Sequence, residues 1–191
     1  MDLLTFLMKS PDLPDRACAA HLASYWTPKH VQKGTAIAQQ EAQDTHEYII
    51  LEGRVASRIY DADGRTVCVG LYVGPCVVTP NIARTRDGTS LVALEANTDV
   101  LIAQMESSDL TDLMIESIPL RDWANGVLRD ELGRKADREW CLAALGGSDR
   151  LAWFRERYPG YEDVFVHTLI ASFLGITPVT LSRLRSGDQN T

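Results

Sequence analysis

The chain has 191 residues, 45% hydrophobic and 24% charged, with a formal net charge of −7. That length buries either one large core or two small ones, and no stretch approaches the eighteen or so apolar residues of a membrane-spanning helix. The acidity counts against a broadly basic nucleic-acid binder, because neutralising phosphates needs clustered Lys and Arg. From Ser148 onward five arginines meet five acidic residues, so a DNA reader in that segment relies on a local arrangement of charge.

The opening MDLLTFLMKSPDLPDR has no basic region before its apolar stretch and no small-residue cleavage site, which argues against secretion. Cys18, Cys68, Cys76 and Cys141 are scattered without CxxC spacing. That pattern fits a reducing cytoplasm and signals neither a zinc site nor a disulfide framework. His21, His30, His46 and His167 are isolated, with no HxH pair, so a cupin-like metalloenzyme finds no ligand set. The expectation is a cytoplasmic protein that is not an enzyme, with no metal and no resident cofactor.

Beyond an N-terminal helix containing Ala19, Leu22 and Ala23, the chain to about Gln104 reads as strands. EYIILEGRVASRIYD, RTVCVGLYVG, SLVALEA and DVLIAQM are β-rich and punctuated by Gly34, Gly53, Gly64, Gly74 and Gly88. Asp63-Gly64 reads as a tight hairpin turn, and short strands at this spacing predict a closed sandwich or barrel. The period then changes. Pro119 suits a first helical turn, and LRDWANGVLRDELGRKADREW places apolar residues at 120, 123, 124, 127, 128 and 132. Leu120, Trp123 and Val127 have coiled-coil-like spacing, which fits either a dimer seam or a helix packed on its own barrel. Gly126 and Gly133 weaken that helix by roughly 1 kcal/mol each relative to Ala and suit a close backbone approach.

The last zone is helical. Ser148 is a candidate cap for DRLAWFRERY, which Pro159-Gly160 ends. In VHTLIASFLGITPVTLSRLRSGD, Leu169, Ile170, Phe173 and Leu174 form one apolar face, and Gly175 ends the helix with a residue that accepts positive φ. Ala171 is small where two helices approach. Thr177 is an N-cap and Pro178 suits the next position. With Leu181 and Leu184 turned inward, Val179, Ser182 and Arg183 project from the opposite face, flanked by Thr180. That is the layout of a helix entering a major groove, where hydroxyls contact phosphate or base edges and an arginine pairs with guanine. A plain helical hairpin packed on the sensor has the same spacing.

IASFLGITPVTLSRLR closely resembles the helix-turn-helix of the Crp/Fnr family of bacterial regulators. KGTAIAQQEAQDTHEYIILEGRVASRIYDADGRTVCVGLYVGP resembles that family's cyclic-nucleotide-binding β-roll at Gly34, Tyr48, Gly53, Asp63-Gly64-Arg65 and Gly74, and DRLAWFRERYP resembles its linker helix. The resemblance implies an α+β fold. An effector domain over 1–118 is a jelly-roll-like double-stranded β-helix, 119–140 is a dimerisation helix, and 141–191 is a helix-turn-helix domain with little or no wing. It implies a dimeric transcription regulator whose partners are double-stranded DNA, a second copy and RNA polymerase, with no membrane association. DNA contacts then fall on Thr168, Thr177, Val179, Thr180, Ser182, Arg183 and Arg185, with phosphates met by residues such as His167, Thr168, Thr180 and Arg185. The seam falls on Leu120, Trp123 and Val127.

The departures from the family pattern are informative. Cyclic-AMP sensors of this family use a Gly-Glu helix start and an Arg-Ser or Arg-Thr pair. Here those positions fall near Val78 and Thr79 and on Ser90 and Leu91, so the phosphate guanidinium is absent. Arg84 and Arg86, in the intervening loop, are candidates for a different anion, which makes Val78, Thr79, Arg84, Arg86, Ser90 and Leu91 the expected effector pocket. Clustered thiolates for an iron–sulfur sensor are missing, and Cys76, the one suggestive haem ligand, reads better as a small hydrophobe. Of the three base-reading positions of the catabolite-activator type, held here by Pro178, Val179 and Arg183, only the last is retained. An alternative function is a small-molecule-sensing module that acts through protein partners, its helix-turn-helix having lost DNA affinity.

Overall fold

The computed structural model describes residues 1–187. Two short helices, α1 (Leu3–Leu7) and α2 (Arg16–Ala23), precede β1 (Thr27–Val31), β2 (Ala36–Ala38), β3 (His46–Glu52), β4 (Arg54–Tyr60), β5 (Thr66–Val73) and β6 (Cys76–Val77). The chain continues through α3 (Asn81–Arg84), the small hairpin β7 (Thr85–Arg86) and β8 (Thr89–Ser90), then β9 (Ala93–Ala96) and β10 (Val100–Glu106). Helices α4 (Ser107–Glu116), α5 (Ile118–Ala144), α6 (Gly147–Arg157), α7 (Tyr161–Val164), α8 (His167–Phe173) and α9 (Pro178–Gly187) follow.

The strands form two antiparallel four-stranded sheets, ordered β1-β10-β3-β6 and β2-β9-β4-β5. Because successive side chains leave a strand on opposite faces, β3 feeds two cores at once. Tyr48 and Ile50 enter the space between the sheets with Val55, Leu94, Val100 and Ile102. Ile49 and Leu51 face outward against Leu7, Leu22, Leu113, Leu120 and Trp123. The outer face of the second sheet is covered too: Ala56, Cys68 and Leu71 pack with Phe154, Leu169, Ile170 and Phe173 of the C-terminal helices. Sheets covered on both sides explain why IIL in β3 shows no alternation of apolar with polar residues.

Several local expectations are revised. Asp63-Gly64 is not a two-residue turn. It lies in a loop from Asp61 to Arg65, tied by the Asp61 carboxylate, which accepts from the N–H groups of Asp63 at 3.0 Å and Arg65 at 2.7 Å. Ser148 falls inside α6, whose cap is Gly146. Helix α5 continues past Trp140 to Ala144. Gly126 of α5 is approached closely, but by the carboxylate of Asp12, 2.7 Å from where a Cβ would stand, while around Gly133 the space is open. The expected absence of a wing concerns residues outside the described ones.

The dimer-seam residues need the largest correction. Leu120 is buried and Trp123 only 4% exposed, both packed into the chain's own core beneath the first sheet, and Val127 packs against the same cluster. The apolar stripe chosen from spacing is therefore the face of α5 that covers its own β-roll.

Candidate effector cavity and recognition helix

Helix α3 with its flanking residues stands where a phosphate cassette was expected, and its polar groups are already satisfied by the chain. Arg84 has a side chain 1% exposed. Its Nε donates to Asp44 Oδ2 at 3.0 Å, Nη2 to Asp44 Oδ1 at 3.3 Å and to the His46 carbonyl, and Nη1 to the Thr79 carbonyl at 2.7 Å. The guanidinium also lies 4.8 Å from the centre of the Tyr48 ring, and the Tyr48 hydroxyl donates to Asp44 at 3.2 Å. The Asn81 N–H donates to both oxygens of Glu47, at 2.9 and 3.1 Å. Burial pushes the Glu47 carboxyl above the usual range, against the Asn81 N–H and the Arg84 charge. The groups that a bound phosphate would need are thus spent on two carboxylates of the same chain.

A cavity of 710 Å³ opens between β4, β5 and β6 on one side and α5 with the C-terminal helices on the other. Its floor is a hydrogen-bonded relay. The Tyr72 hydroxyl meets Thr79 Oγ1 at 2.6 Å, and that hydroxyl donates to Glu131 Oε1 at 2.5 Å. Glu131 is flanked by Arg134 at 2.7 Å and Lys135 at 3.2 Å. Burial alone would raise the Glu131 carboxyl, but the Thr79 hydrogen bond and the neighbouring cations outweigh it and hold it below the usual range. The relay joins the β-roll to α5.

The opposite wall joins the β-roll to the C-terminal helices. Arg138 Nη2 donates to the Cys68 carbonyl of β5 at 3.1 Å and to the Phe173 carbonyl of α8 at 2.9 Å. Its guanidinium sits 4.6 Å from the centre of the Phe173 ring. The Cys68 N–H donates to Ser172 Oγ at 2.8 Å, and Arg54 Nη1 to the Val164 carbonyl at 2.7 Å. β5 is the edge of its sheet, so α8 and α5 satisfy backbone groups that no further strand pairs.

Of the six residues expected in the effector pocket, Thr79, Arg84 and Leu91 line this cavity. Val78 is buried in the core between the sheets, the hydroxyl of buried Ser90 donates to the Val92 carbonyl at 2.8 Å, and Arg86 is exposed on β7. Arg84 is therefore a structural ion pair rather than an anion receptor. Burial pushes the Cys76 thiol up to about 12, the behaviour of a small hydrophobe rather than a ligand. Glu131, Arg134, Lys135, Arg138, Tyr158 and Tyr161 went unremarked in the sequence. The run GRKADRE was the available signal, with cations at positions 134, 135 and 138 on consecutive turns of one helix.

At the C-terminal end, Ile176 N–H donates to the Ala171 carbonyl at 3.0 Å, closing α8, and Gly175 takes φ +63°. A Cβ there would lie 3.2 Å from both Arg150 and Leu142, so this tight approach favours glycine twice over. Thr177 caps α9, its Oγ1 accepting the Thr180 N–H at 3.1 Å and lying 2.8 Å from Thr180 Oγ1. Leu181 is fully buried, whereas Val179 is 61% exposed and Thr168, Ser182 and Arg183 are exposed. Arg185 is half-buried and engaged by Glu162 at 2.7 Å and by His167. Of the residues expected on DNA, those left open on α9 are thus Val179, Ser182 and Arg183.

Residues 28–117 match the family model of the cyclic nucleotide-binding domain. This segment is similar to the cyclic nucleotide-binding domain. No curated protein matches the sequence. Among solved structures, the chain resembles FixK2 from Bradyrhizobium japonicum at 20% identity and a TM-score of 0.74, over 86% of this chain and 85% of that one. A CooA mutant from Carboxydothermus hydrogenoformans gives 14% identity and 0.74, covering 100% of this chain and 85% of the other. The c-di-GMP responsive global regulator CLP of Xanthomonas campestris gives 14% and 0.70, over 92% of each. The chain shares the overall fold of these three structures. No helix among the described residues is long and apolar enough to cross a membrane.

Proposed function

We infer that the chain is a dimeric, DNA-binding transcription regulator of the Crp/Fnr type whose effector site no longer reads a cyclic phosphate in the usual way. The observation that carries this reading is α9. It is capped by Thr177, anchored by buried Leu181 and turned outward at Val179, Ser182 and Arg183. A helix so presented is suited to the major groove, with Arg183 donating to a guanine edge and the hydroxyls of Thr168 and Ser182 available to phosphate or bases.

Two-fold operators need two-fold proteins. Since Leu120 and Trp123 face inward, the seam belongs on the other side of α5. On a 3.6-residue period, Ile118, Asn125, Leu132, Ala136 and Trp140 share that outer side, with Ile118 63%, Leu132 57% and Trp140 56% exposed. Open space around Gly133 suits a close approach of a second helix. RNA polymerase is the further partner that such a regulator engages, and the function is regulatory rather than enzymatic.

Selection of bound fragments from the organism's own genomic DNA tests the reading and names the operator together. Recovery of one two-fold symmetric site supports it, and recovery of no sequence at low salt overturns it. The alternative, a sensing module acting through protein partners, is favoured by the engagement of Arg185 with Glu162, which removes a cation from a face already poor in positive charge.

A further inference from the structure

The cavity beside α5 carries its own chemistry. At 710 Å³ it is the size of sites for small organic molecules. Its walls are largely apolar and aromatic, built from Ile59, Leu71, Leu142, Tyr158, Tyr161 and Phe173. The charge on its helical wall does not balance. Arg134 and Lys135 both answer the single carboxylate of Glu131. Arg138 has no carboxylate partner among the described residues, and its bonds go to two backbone carbonyls through Nε and Nη2. Exposed Glu139 stands on the same wall, so three cations face two carboxylates. Arg84, also in the lining, is already neutralised by Asp44.

A half-buried guanidinium without a counter-ion is costly. Burial lowers the pKa of Arg138, which the electrostatic pull of its neighbours does not restore. Its Nη1 has no hydrogen-bond partner among the described residues, and the same holds for Nη1 of Arg134. Arg138 in this state favours an anion, which forms charge-assisted bonds with it at little further desolvation cost, while Arg134, exposed and already paired with Glu131, adds a second guanidinium beside it.

We propose that this cavity is the effector site, and that it takes an amphipathic organic anion whose carboxylate, sulfonate or phosphate meets Arg138 and Arg134 while an apolar or aromatic body lies between Leu71 and the Tyr158–Tyr161–Phe173 wall. The proposal rests on the regulator reading above and adds the ligand class and the route of its effect. The aromatic wall belongs to the C-terminal helices, and Arg138 bridges the end of α8 to β5 beside the direct Cys68–Ser172 bond. An anion drawing on Arg138 competes with the Phe173 and Cys68 carbonyls, so occupancy and the docking of the DNA-reading helices are coupled through one side chain.

The test uses the full chain and two fluorescent probes that share an apolar aromatic body. These are 8-anilinonaphthalene-1-sulfonate and its uncharged counterpart N-phenyl-1-naphthylamine. The expected result is saturable binding of one sulfonate probe per chain. Arg138→Gln weakens it about ten-fold and changes the neutral probe by less than about two-fold, while Leu71→Trp, which fills the cavity, weakens both. Circular dichroism checks folding. If Arg138→Gln does not fold, Arg134→Gln and Leu71→Trp carry the test, because Arg134 holds no element in place. Unchanged sulfonate binding in the folded arginine variants, or non-saturating binding that Leu71→Trp leaves intact, overturns the proposal. Loss of DNA binding with these probe results intact counts against the regulator reading alone.

Discussion

Arg84 and Asp44 form an ion pair 3.0 Å apart with side chains 1% and 2% exposed, where the sequence offered Arg84 as a candidate for an anion other than the usual cyclic phosphate. An aspartate of the same chain fills the role of the external anion. The hydrogen bonds from Asn81 to Glu47 extend the arrangement to the start of α3. Removing either member of the pair leaves an uncompensated buried charge, so Asp44→Ala and Arg84→Ala should each destabilise the chain by about 3–5 kcal/mol. Urea denaturation measures this. Neither variant should gain cyclic-AMP affinity, and calorimetry giving micromolar binding to the unaltered chain would show that the cassette still reads a phosphate.

Acid should loosen the junction between the β-roll and α5. The folded-state pKa of Glu131 lies below its usual value of 4.5, so its contribution is present above that pH and is lost as pH falls through the folded pKa. Glu47, raised chiefly by burial, acts in the opposite sense, since its cost is relieved as pH falls through its elevated pKa. Denaturation midpoints from pH 6 down to about pH 3 should therefore decline less steeply for Glu131→Gln than for the parent chain. A matching decline in the two would remove Glu131 as the acid-sensitive group.

In the proposed dimer, the two faces of α5 separate stability from assembly. Trp123→Ala should cost about 3–5 kcal/mol through the cavity it leaves under the first sheet. Leu132→Glu or Trp140→Glu, on the outer face, should leave the melting temperature nearly unchanged and yield a monomer by sedimentation. A dimer that survives both outer substitutions relocates the seam.

On DNA, Arg183→Ala should cost roughly 1–3 kcal/mol and relax base choice at one position per half-site. Glu162→Gln should free Arg185 from its internal pair, raise affinity at low salt and steepen the salt dependence by about one. Binding curves on matched and altered operators at two salt concentrations distinguish these effects. A slope unchanged by Glu162→Gln assigns Arg185 a purely structural role.

What the sequence disclosed was local. Gly175, Thr177, Pro178 and Leu181 announce a helix end, a cap and an inward anchor within seven positions, and each does so through its own backbone or side-chain preference. Helix α5 was misread because both of its faces carry large apolar residues, and spacing alone does not say which one meets the chain's own core. Arg84 was misread because its neutralising partner lies forty positions away. The cavity joins residues as distant as Cys68, Arg138 and Phe173, whose proximity exists only once α8 has docked on the sheet.

The bonds from the Cys68 N–H to Ser172 and from Arg138 to the Cys68 carbonyl carry a further consequence. Without α8 in place, β5 presents an unpaired strand edge rich in β-branched and aromatic residues, the kind of template on which chains pair and aggregate. A conformation in which the C-terminal helices swing away therefore has to be brief or find another cover for that edge. Solubility limits how long the two halves of the molecule stay apart.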